Sequence, residues 1–269
     1  MNSRYLGAAI IAPFFIFVLL GGYFLQIFIA ALSMIGIYEF YKVTKSKGYK
    51  PLEYCGYLVT ALYYILLIIN GNVAHLSSIL VLFTFLMLCI PIINIKYNIT
   101  DVSLTVLGFI YVSIFFSFIP LINMKLHGNL LVWLVFVTAW SCDTAAYYSG
   151  RHLKKILNGK KLCPKVSPNK TVVGSLGGVL GSAIITYIFG NIVNTYIYTI
   201  PALHYLIMGL LCGILGQFGD LVASSIKRYA GVKDYSNLIP GHGGILDRFD
   251  SILFTSVVIY YYLTYIVHL

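Results

Sequence analysis

"HYLIMGLLCGILGQF", residues 204–218, contains no Lys, Arg, Asp or Glu, and neither does "ILFTSVVIYYYLTYIV", residues 252–267. A helix needs about 20 apolar residues to cross a lipid bilayer. Between these runs, "SSIKRYAGVKDYSNLIPGHGGILDRFD" at 224–250 holds four of the eighteen cationic residues and three of the eight carboxylates. The pattern predicts two membrane spans joined by a charged loop.

The composition of the whole chain predicts the same class of protein. Hydrophobic residues make up 59% of the 269 residues and charged residues only 10%, whereas a soluble domain contains about 25% charged residues. In lipid, only helices and closed barrels satisfy their backbone hydrogen bonds, and no segment alternates like a barrel strand. We predict an all-α integral membrane protein, a polytopic helical bundle of about nine transmembrane spans, near residues 5–20, 22–41, 54–71, 75–95, 100–124, 129–149, 171–197, 201–226 and 248–268.

The chain divides into two predicted regions. Residues 1–128 hold about five spans, and residues 129–269 form a C-terminal region with long loops at 150–170 and 227–247. The first twenty residues resemble a secretory signal but lack a small-residue cleavage site, so we expect them to be retained as the first span.

The distribution of Lys and Arg predicts the orientation. With a cytoplasmic amino terminus, the nine-span arrangement puts seventeen of the eighteen on the cytoplasmic side and leaves only Lys125 opposite. Cytoplasmic loops of membrane proteins carry such an excess. We expect a multi-pass protein of the cell membrane whose basic cytoplasmic face attracts anionic lipid headgroups or nucleotides.

Asp220 lies inside an apolar run, where an ionised carboxylate is costly and usually lines a cavity or binds an ion. Helical spacing puts Asp220, Ser224 and Lys227 on one stripe, with Gln217 one turn earlier. The alternative is a hydrogen bond that only joins neighbouring spans.

Asp247 and Asp250 lie three residues apart at the start of the last span and share a face. Either could simply compensate the positive end of the helix dipole, and Lys227 and Arg228 could do the same at a helix carboxyl end. Together with Asp220, however, they are carboxylates beside a basic loop. Such a set suits Mg²⁺, which binds through one or two carboxylates plus substrate phosphates.

The loop at 150–170 offers further candidates. Asp143 closes the sixth predicted span and Tyr147 follows one turn later, although span ends often carry polar residues without a special role. "SPNKT" at 167–171 brings Ser167, Lys170 and Thr171 to the predicted start of the next helix, where free N–H groups favour phosphate. The alternative is an ordinary helix start.

Glycines have two predicted uses. Those after the "SPNKT" stretch predict close helix packing and are Gly174, Gly177, Gly178 and Gly181. "PGHGG" at 240–244, with Gly243 and Gly244, could turn its N–H groups onto an anion. His242 could bind phosphate, act as a base or be an ordinary loop residue.

These side chains indicate a membrane-embedded site with carboxylates for a metal and cations for phosphate. That combination is typical of phosphoryl or nucleotidyl transfer. Of the other acids, we expect Glu39, Glu53 and Asp101 to lie at the membrane interface near span ends.

The segment from Ser224 to Asp250 also resembles a family signature. Its constrained positions are Ser224, Ile226, Lys227, Arg228, Lys233, Asp234, Ser236, Ile239, Pro240, His242, Gly243, Gly244, Ile245, Asp247, Arg248, Phe249 and Asp250. They resemble the signature of the phosphatidate cytidylyltransferases, and the resemblance extends to "GQFGDL" at 216–221 and, more loosely, to "CDTAAYYSGR" at 142–151 and "KVSPNKT" at 165–171.

The resemblance implies a multi-span enzyme that condenses phosphatidic acid with CTP, using Mg²⁺, to give CDP-diacylglycerol and pyrophosphate. It implies that Asp220 and Asp247 hold the metal, supported by Asp250 and Asp143. It assigns the binding of the triphosphate and the lipid phosphate to cations and hydroxyls, namely Lys170, Lys227, Arg228, Lys233, Arg248, Ser167, Thr171 and Ser224. Tyr147, Gly243 and Gly244 are further substrate contacts, and His242 is a catalytic candidate.

The expected partners are CTP, phosphatidic acid and membrane lipids, with no nucleic acid; a second cation and a homodimer stay open. Ala145, Val173 and the long stretch after Arg151 depart from the family pattern. Alternatives are a cytidylyltransferase for another lipid phosphate and an anion transporter. The closely spaced Asp motif of CDP-alcohol phosphotransferases is absent from the sequence.

Overall fold

The computed structural model describes residues 14–71, 76–153, 159–197 and 200–269. Helices dominate these ranges, and residues 14–20 are helical too. In chain order the elements are α1 (Gly22–Ser46), α2 (Glu53–Asn70), α3 (Leu76–Ile93), α4 (Ile99–Asn123), α5 (Gly128–His152), β1 (Lys161–Cys163), β2 (Ser167–Thr171), α6 (Val172–Ile197), α7 (Ala202–Ala230) and α8 (Leu246–Tyr265).

Within the described ranges, seven helices, α1 to α7, are long and apolar enough to cross a membrane. This confirms the predicted all-α, polytopic membrane class. The predicted total of nine spans stays a prediction. Residues 5–13 of the predicted first span, 5–20, lie outside the described residues. The predicted ninth span forms α8, whose first turns carry Asp247, Arg248 and Asp250.

The chain forms two compact units. The first comprises Met1–Met124 and Tyr229–Arg248, and the second comprises Lys125–Arg228 and Phe249–Leu269. The predicted division into regions 1–128 and 129–269 concerns function and stays a prediction.

In the first unit, Tyr41 of α1 packs where two neighbouring helices carry glycine. A Cβ atom on Gly56 of α2 or Gly108 of α4 would collide with the Tyr41 ring. The buried Tyr41 hydroxyl donates a 2.7 Å hydrogen bond to the Thr105 carbonyl. Small residues thus let three helices approach closely, as is common in membrane proteins.

Hydroxyl groups link α2 to the centre of α4, which is π-helical over Phe109–Ile114. The Thr60 and Ser113 hydroxyls lie 2.7 Å apart, and the Tyr64 hydroxyl donates to the Ser113 carbonyl at 3.0 Å. These groups are buried, so the hydrogen bonds replace the water that a bilayer core does not offer.

In the second unit, α5 packs against α6 through the predicted glycine stripe. A Cβ atom on Gly178 would lie 3.0 Å from both the Cys142 carbonyl and the Ala146 Cβ. A Cβ atom on Gly174 would lie 2.8 Å from the Ala146 carbonyl. Gly177 and Gly181 face Ser149 and Ala145 in the same way. The prediction that these glycines serve helix packing is confirmed.

The stretch predicted as the loop 150–170 has structure of its own. Helix α5 continues to His152, and β1 and β2 form an antiparallel hairpin with Lys161 opposite Thr171. Ser167 and Lys170 therefore lie in a strand, which corrects the prediction that they stand at a helix start; α6 begins only at Val172. Residues 154–158 lie outside the described residues.

Replacing Gly178 by Leu should destabilise the second unit. The added side chain would have to displace the α5 backbone at Cys142, and such overpacking costs about 1–3 kcal/mol. The measurement is the thermal unfolding of purified protein in detergent micelles. Leu180→Ala is the control, because this side chain on the same helix is 60% exposed. An unchanged midpoint for Gly178→Leu would contradict the packing.

Candidate active site

A cavity of about 560 Å³ lies in the second unit between α5, the β hairpin, α6 and α7. It brings together side chains that are far apart in the sequence. Nine of those that line it carry charge or hydrogen-bonding side chains, namely Asp143, Tyr147, Arg151, Asn169, Lys170, Thr171, Ser175, Gln217 and Asp220. Five of these, Asp143, Tyr147, Lys170, Thr171 and Asp220, are predicted site residues. Arg151 is the one charged residue that the prediction did not include.

Asp220 and Lys170 form an ion pair in this cavity. Their side chains are 27% and 25% exposed, so the protein does not fully cover either group. The Ser224 hydroxyl, one turn along α7, donates to Asp220 Oδ1 at 3.2 Å. The predicted stripe of Asp220 and Ser224 therefore exists, and its carboxylate is neutralised by a cation from β2.

Asp143 and Asp250 add negative charge near Asp220. The Asp250 carboxylate interacts electrostatically with Asp220, Asp143 and the buried Lys227. A Cβ atom on Gly219 would lie 2.6 Å from the Asp250 carbonyl. Only glycine at position 219 therefore lets the backbone of α7 approach Asp250 this closely. In the described part of the chain, no three His, Cys, Asp or Glu residues are arranged as a ready-made metal site.

The cations of the second unit occupy different environments. Arg228 is exposed at the end of α7. Arg151 is exposed as well and donates to the Tyr147 hydroxyl at 3.1 Å, which links two residues of the cavity wall. In the sequence, Arg151 ends the "CDTAAYYSGR" stretch one turn after Tyr147.

Thr171 closes β2 and caps the next helix. Its buried hydroxyl accepts a 3.1 Å hydrogen bond from the Gly174 N–H. Ser167 stands opposite Cys163 in the hairpin and does not line the cavity. Of the predicted "SPNKT" residues, Lys170 and Thr171 thus reach the cavity and Ser167 does not.

The remaining predicted residues belong to the first unit. Asp247 is 7% exposed, and its Oδ2 atom accepts hydrogen bonds from the Tyr235 N–H at 2.8 Å and the Gly244 N–H at 2.9 Å. This carboxylate, in the first turn of α8, therefore holds the backbone of the preceding loop. Lys233 and Arg248 are exposed, and His242 is half-buried.

The "PGHGG" stretch forms a tight turn. The Ile239 N–H donates to the Gly243 carbonyl at 2.8 Å, and the His242 N–H donates to the Ile239 carbonyl at 2.9 Å. Gly243 has a φ of 82°, which favours glycine. We predicted that N–H groups of this stretch could bind an anion. In the structure the His242 N–H donates to the Ile239 carbonyl, and the Gly244 N–H donates to the Asp247 carboxylate.

Two carboxylates expected at the membrane interface are buried. Glu39 is 1% exposed and accepts hydrogen bonds from the Ser236 hydroxyl and from the N–H groups of Ile245 and Leu246. Asp101 is 2% exposed and forms a capping box with Asn98. Both carboxylates are thus covered by the protein itself, and their position at the membrane interface stays a prediction. The rule that identified Asp220, that a carboxylate within an apolar span has a partner, applied equally to Glu39.

Comparison with known proteins agrees with the sequence signature. Residues 2–266 match the model of the cytidylyltransferase family. Three similar proteins are each called phosphatidate cytidylyltransferase. The Bacillus subtilis protein is 34% identical, and the match covers 98% of this chain and 97% of the relative. The Synechocystis protein is 31% identical, with 97% of this chain and 96% of the relative covered. The Staphylococcus saprophyticus protein is 33% identical, with 94% of this chain and 95% of the relative covered.

Replacing Thr171 by Ala should destabilise the start of α6. The variant leaves the Gly174 N–H without its cap, and loss of a Thr cap costs about 1 kcal/mol. Thr171→Ser keeps the hydroxyl and should stay close to the unchanged protein. Unfolding midpoints in micelles measure both variants, and equal midpoints for Ala and Ser would exclude the capping role.

Proposed function

The chain belongs to the cytidylyltransferase family, and we propose that it transfers the cytidylyl group of CTP to phosphatidic acid, giving CDP-diacylglycerol and pyrophosphate. The family match over residues 2–266 carries this proposal. The cavity of the second unit supports it, because carboxylates and cations face each other there.

Both substrates carry phosphate, and the cavity offers cations to bind it. Lys170 and Arg151 line the cavity together with hydrogen-bonding groups of Tyr147 and Thr171. Phosphatidic acid is a membrane lipid, and a chain whose described residues include seven long apolar helices can take it directly from the bilayer. Its acyl chains then stay in lipid while its phosphate reaches the charged site.

The acidic residues suit a magnesium ion. Mg²⁺ keeps several waters and binds through one or two carboxylates plus substrate phosphates, so it does not need three carboxylates arranged in advance. Asp220 and Asp143, both in the cavity wall, are the proposed ligands. Asp247 and Asp250 remain predicted further ligands. When bound, the ion would neutralise charge on the α-phosphate and on the leaving pyrophosphate.

The ion pair of Lys170 with Asp220 fits this division of roles. Without ligands, the ammonium compensates the carboxylate. A cation bound at Asp220 would free Lys170 to pair with a phosphate group. Lysine is suited to this because its ammonium is a compact charge on a flexible stem.

The chemical step is an in-line substitution at phosphorus. An oxygen of the phosphatidate phosphate attacks the α-phosphorus of CTP, and a new P–O bond forms. The bond from the α-phosphorus to the oxygen that bridges to the β-phosphorus breaks, and pyrophosphate leaves with the electron pair. A phosphate monoester has a second pKa of about 6, so the nucleophile is already ionised near neutral pH. His242 is therefore not needed as a general base.

The active site faces the cytoplasm in this proposal. CTP is a cytoplasmic nucleotide, and the nine-span arrangement puts seventeen of the eighteen Lys and Arg residues on that side. A basic surface also raises the local concentration of anionic substrates.

The proposed reaction is tested with CTP labelled at its α-phosphate. Purified protein in micelles containing phosphatidic acid should move the label into lipid with CTP and Mg²⁺, and removal of Mg²⁺ by a chelator should stop the transfer. ATP, GTP and UTP serve as nucleotide controls, and other lipid phosphates test the acceptor. Folded protein that incorporates no label from CTP into phosphatidic acid would refute the proposal.

Asp220→Asn should lower kcat on the order of 10²–10³-fold, as loss of a group that stabilises transition-state charge does. The change keeps the size of the side chain but removes the charge that pairs with Lys170. The matched control is Glu53→Gln, because Glu53 pairs with Lys45 at 2.6 Å and does not line the cavity. Steady-state turnover at equal folded protein is compared, and an active Asp220→Asn variant would exclude Asp220 as a metal ligand.

A further inference from the structure

The loop and helix start at residues 229–248, here called the signature segment, belong to the first unit together with residues 1–124. The segment carries six of the predicted site residues, namely Lys233, His242, Gly243, Gly244, Asp247 and Arg248. Its apolar anchors Tyr235, Ile239, Ile245 and Leu246 are all buried. What holds this segment in place therefore determines where its charged groups stand.

Glu39, in the last third of α1, makes the polar contacts that fix the segment. Its Oε1 atom accepts from the Ser236 hydroxyl at 2.6 Å and from the Ile245 N–H at 3.0 Å. Its Oε2 atom accepts from the Leu246 N–H at 2.9 Å. These partners lie about two hundred residues further along the chain, at separations of 197, 206 and 207.

The burial of Glu39 makes these contacts informative. A carboxylate that leaves water loses solvation worth several kcal/mol, and it must recover this through hydrogen bonds. At 1% exposure Glu39 has lost nearly all of its contact with solvent. Gly244 is adapted to it, because a Cβ atom at that position would collide with the Glu39 carboxylate.

Glu39 and Asp247 divide three successive backbone amides between them. The Gly244 N–H donates to Asp247, and the N–H groups of Ile245 and Leu246 donate to Glu39. The two residues before α8 and its first residue, Leu246, are thus held by one carboxylate from the helix's own first turn and one from α1. Because the three amides are consecutive, movement of Glu39 would rotate the peptide group that orients Asp247.

A second contact anchors the other end of the segment to residues that follow α1. The Tyr49 and Tyr229 hydroxyls are hydrogen-bonded, and their rings stack with centroids 6.3 Å apart. The Lys47 ammonium lies 5.7 Å from the centroid of the Tyr229 ring. The segment is therefore tied at both ends to one membrane helix and the turn after it.

We propose that Glu39 is a positioning residue for the transfer reaction: it orients Asp247 and the signature segment from the first described span, without touching substrate. This inference rests on the proposed function and extends it to the amino-terminal half of the chain. It gives α1 a role in catalysis beyond that of a membrane anchor.

Glu39→Gln tests the inference. The amide keeps one oxygen acceptor but presents an N–H₂ group to a backbone N–H, so the segment should lose its fixed orientation. We expect kcat to fall about 10- to 100-fold, the usual cost of removing a group that orients a metal ligand. Affinity for Mn²⁺, measured by electron paramagnetic resonance on purified protein without substrates, should weaken over the same range. Asp247→Asn is the reference for that shift.

Glu53→Gln is the matched control, because it makes the same chemical change in the same unit and its carboxylate pairs with Lys45. A purely structural role of Glu39 would reduce only the folded fraction, with Mn²⁺ affinity and turnover per folded molecule unchanged. That result would overturn the inference.

Ser236→Ala covers the case in which Glu39→Gln does not fold. It removes one donor and keeps both backbone hydrogen bonds to Glu39, so turnover should fall by about 2- to 10-fold, the value of one hydrogen bond. Unchanged turnover in folded Ser236→Ala would then count against the inference. Failure of the proposed function is distinct, since the unchanged protein would itself not move label from CTP into phosphatidic acid.

Discussion

A polar group that is buried away from water has to be satisfied by hydrogen bonds within the chain itself. This constraint explains the contacts of the buried carboxylates. Glu39 accepts two backbone N–H groups and one hydroxyl, and Asp247 accepts two backbone N–H groups. Asp220, which is partly exposed, pairs instead with the Lys170 ammonium. The fully buried carboxylates therefore hold the backbone, and the partly exposed one is paired with a cation that substrate could displace.

Close packing of the helices has a related physical origin. Lipid tails are as apolar as the helix surfaces, so helices in a membrane associate through van der Waals contact and hydrogen bonding rather than through the hydrophobic effect. Glycine supplies the contact at Gly178, where α5 and α6 meet, and at Gly56, where the Tyr41 ring fits. The buried Thr60, Ser113 and Tyr64 groups supply the hydrogen bonding between α2 and α4. Each unit thus has a rigid helical frame on which its charged residues are mounted.

Hydropathy predicted α1 to α7 well, since it depends only on composition over about 20 residues. The cavity was partly predictable, because Asp220 and Ser224 lie one turn apart and Lys170 belongs to a recognisable motif. The β hairpin was missed because "SPNKT" also suits a helix start, and only pairing with Lys161–Cys163 makes it a strand. Glu39 was missed because its partners lie about two hundred residues away, and no local pattern encodes that pairing.

The distant origin of this cap has a physical consequence. A helix leaves its first N–H groups without partners inside the helix, and a local side chain usually satisfies them. A local cap fixes the helix start but leaves its direction relative to the rest of the protein free. In α8, Asp247 takes one amide and Glu39 takes the next two, so the helix start is bonded to α1. The conformation of the signature segment therefore depends on the packing of α1, including the fit of Tyr41 against Gly56 and Gly108. Weakening that packing would loosen the segment without any change in the segment's own sequence.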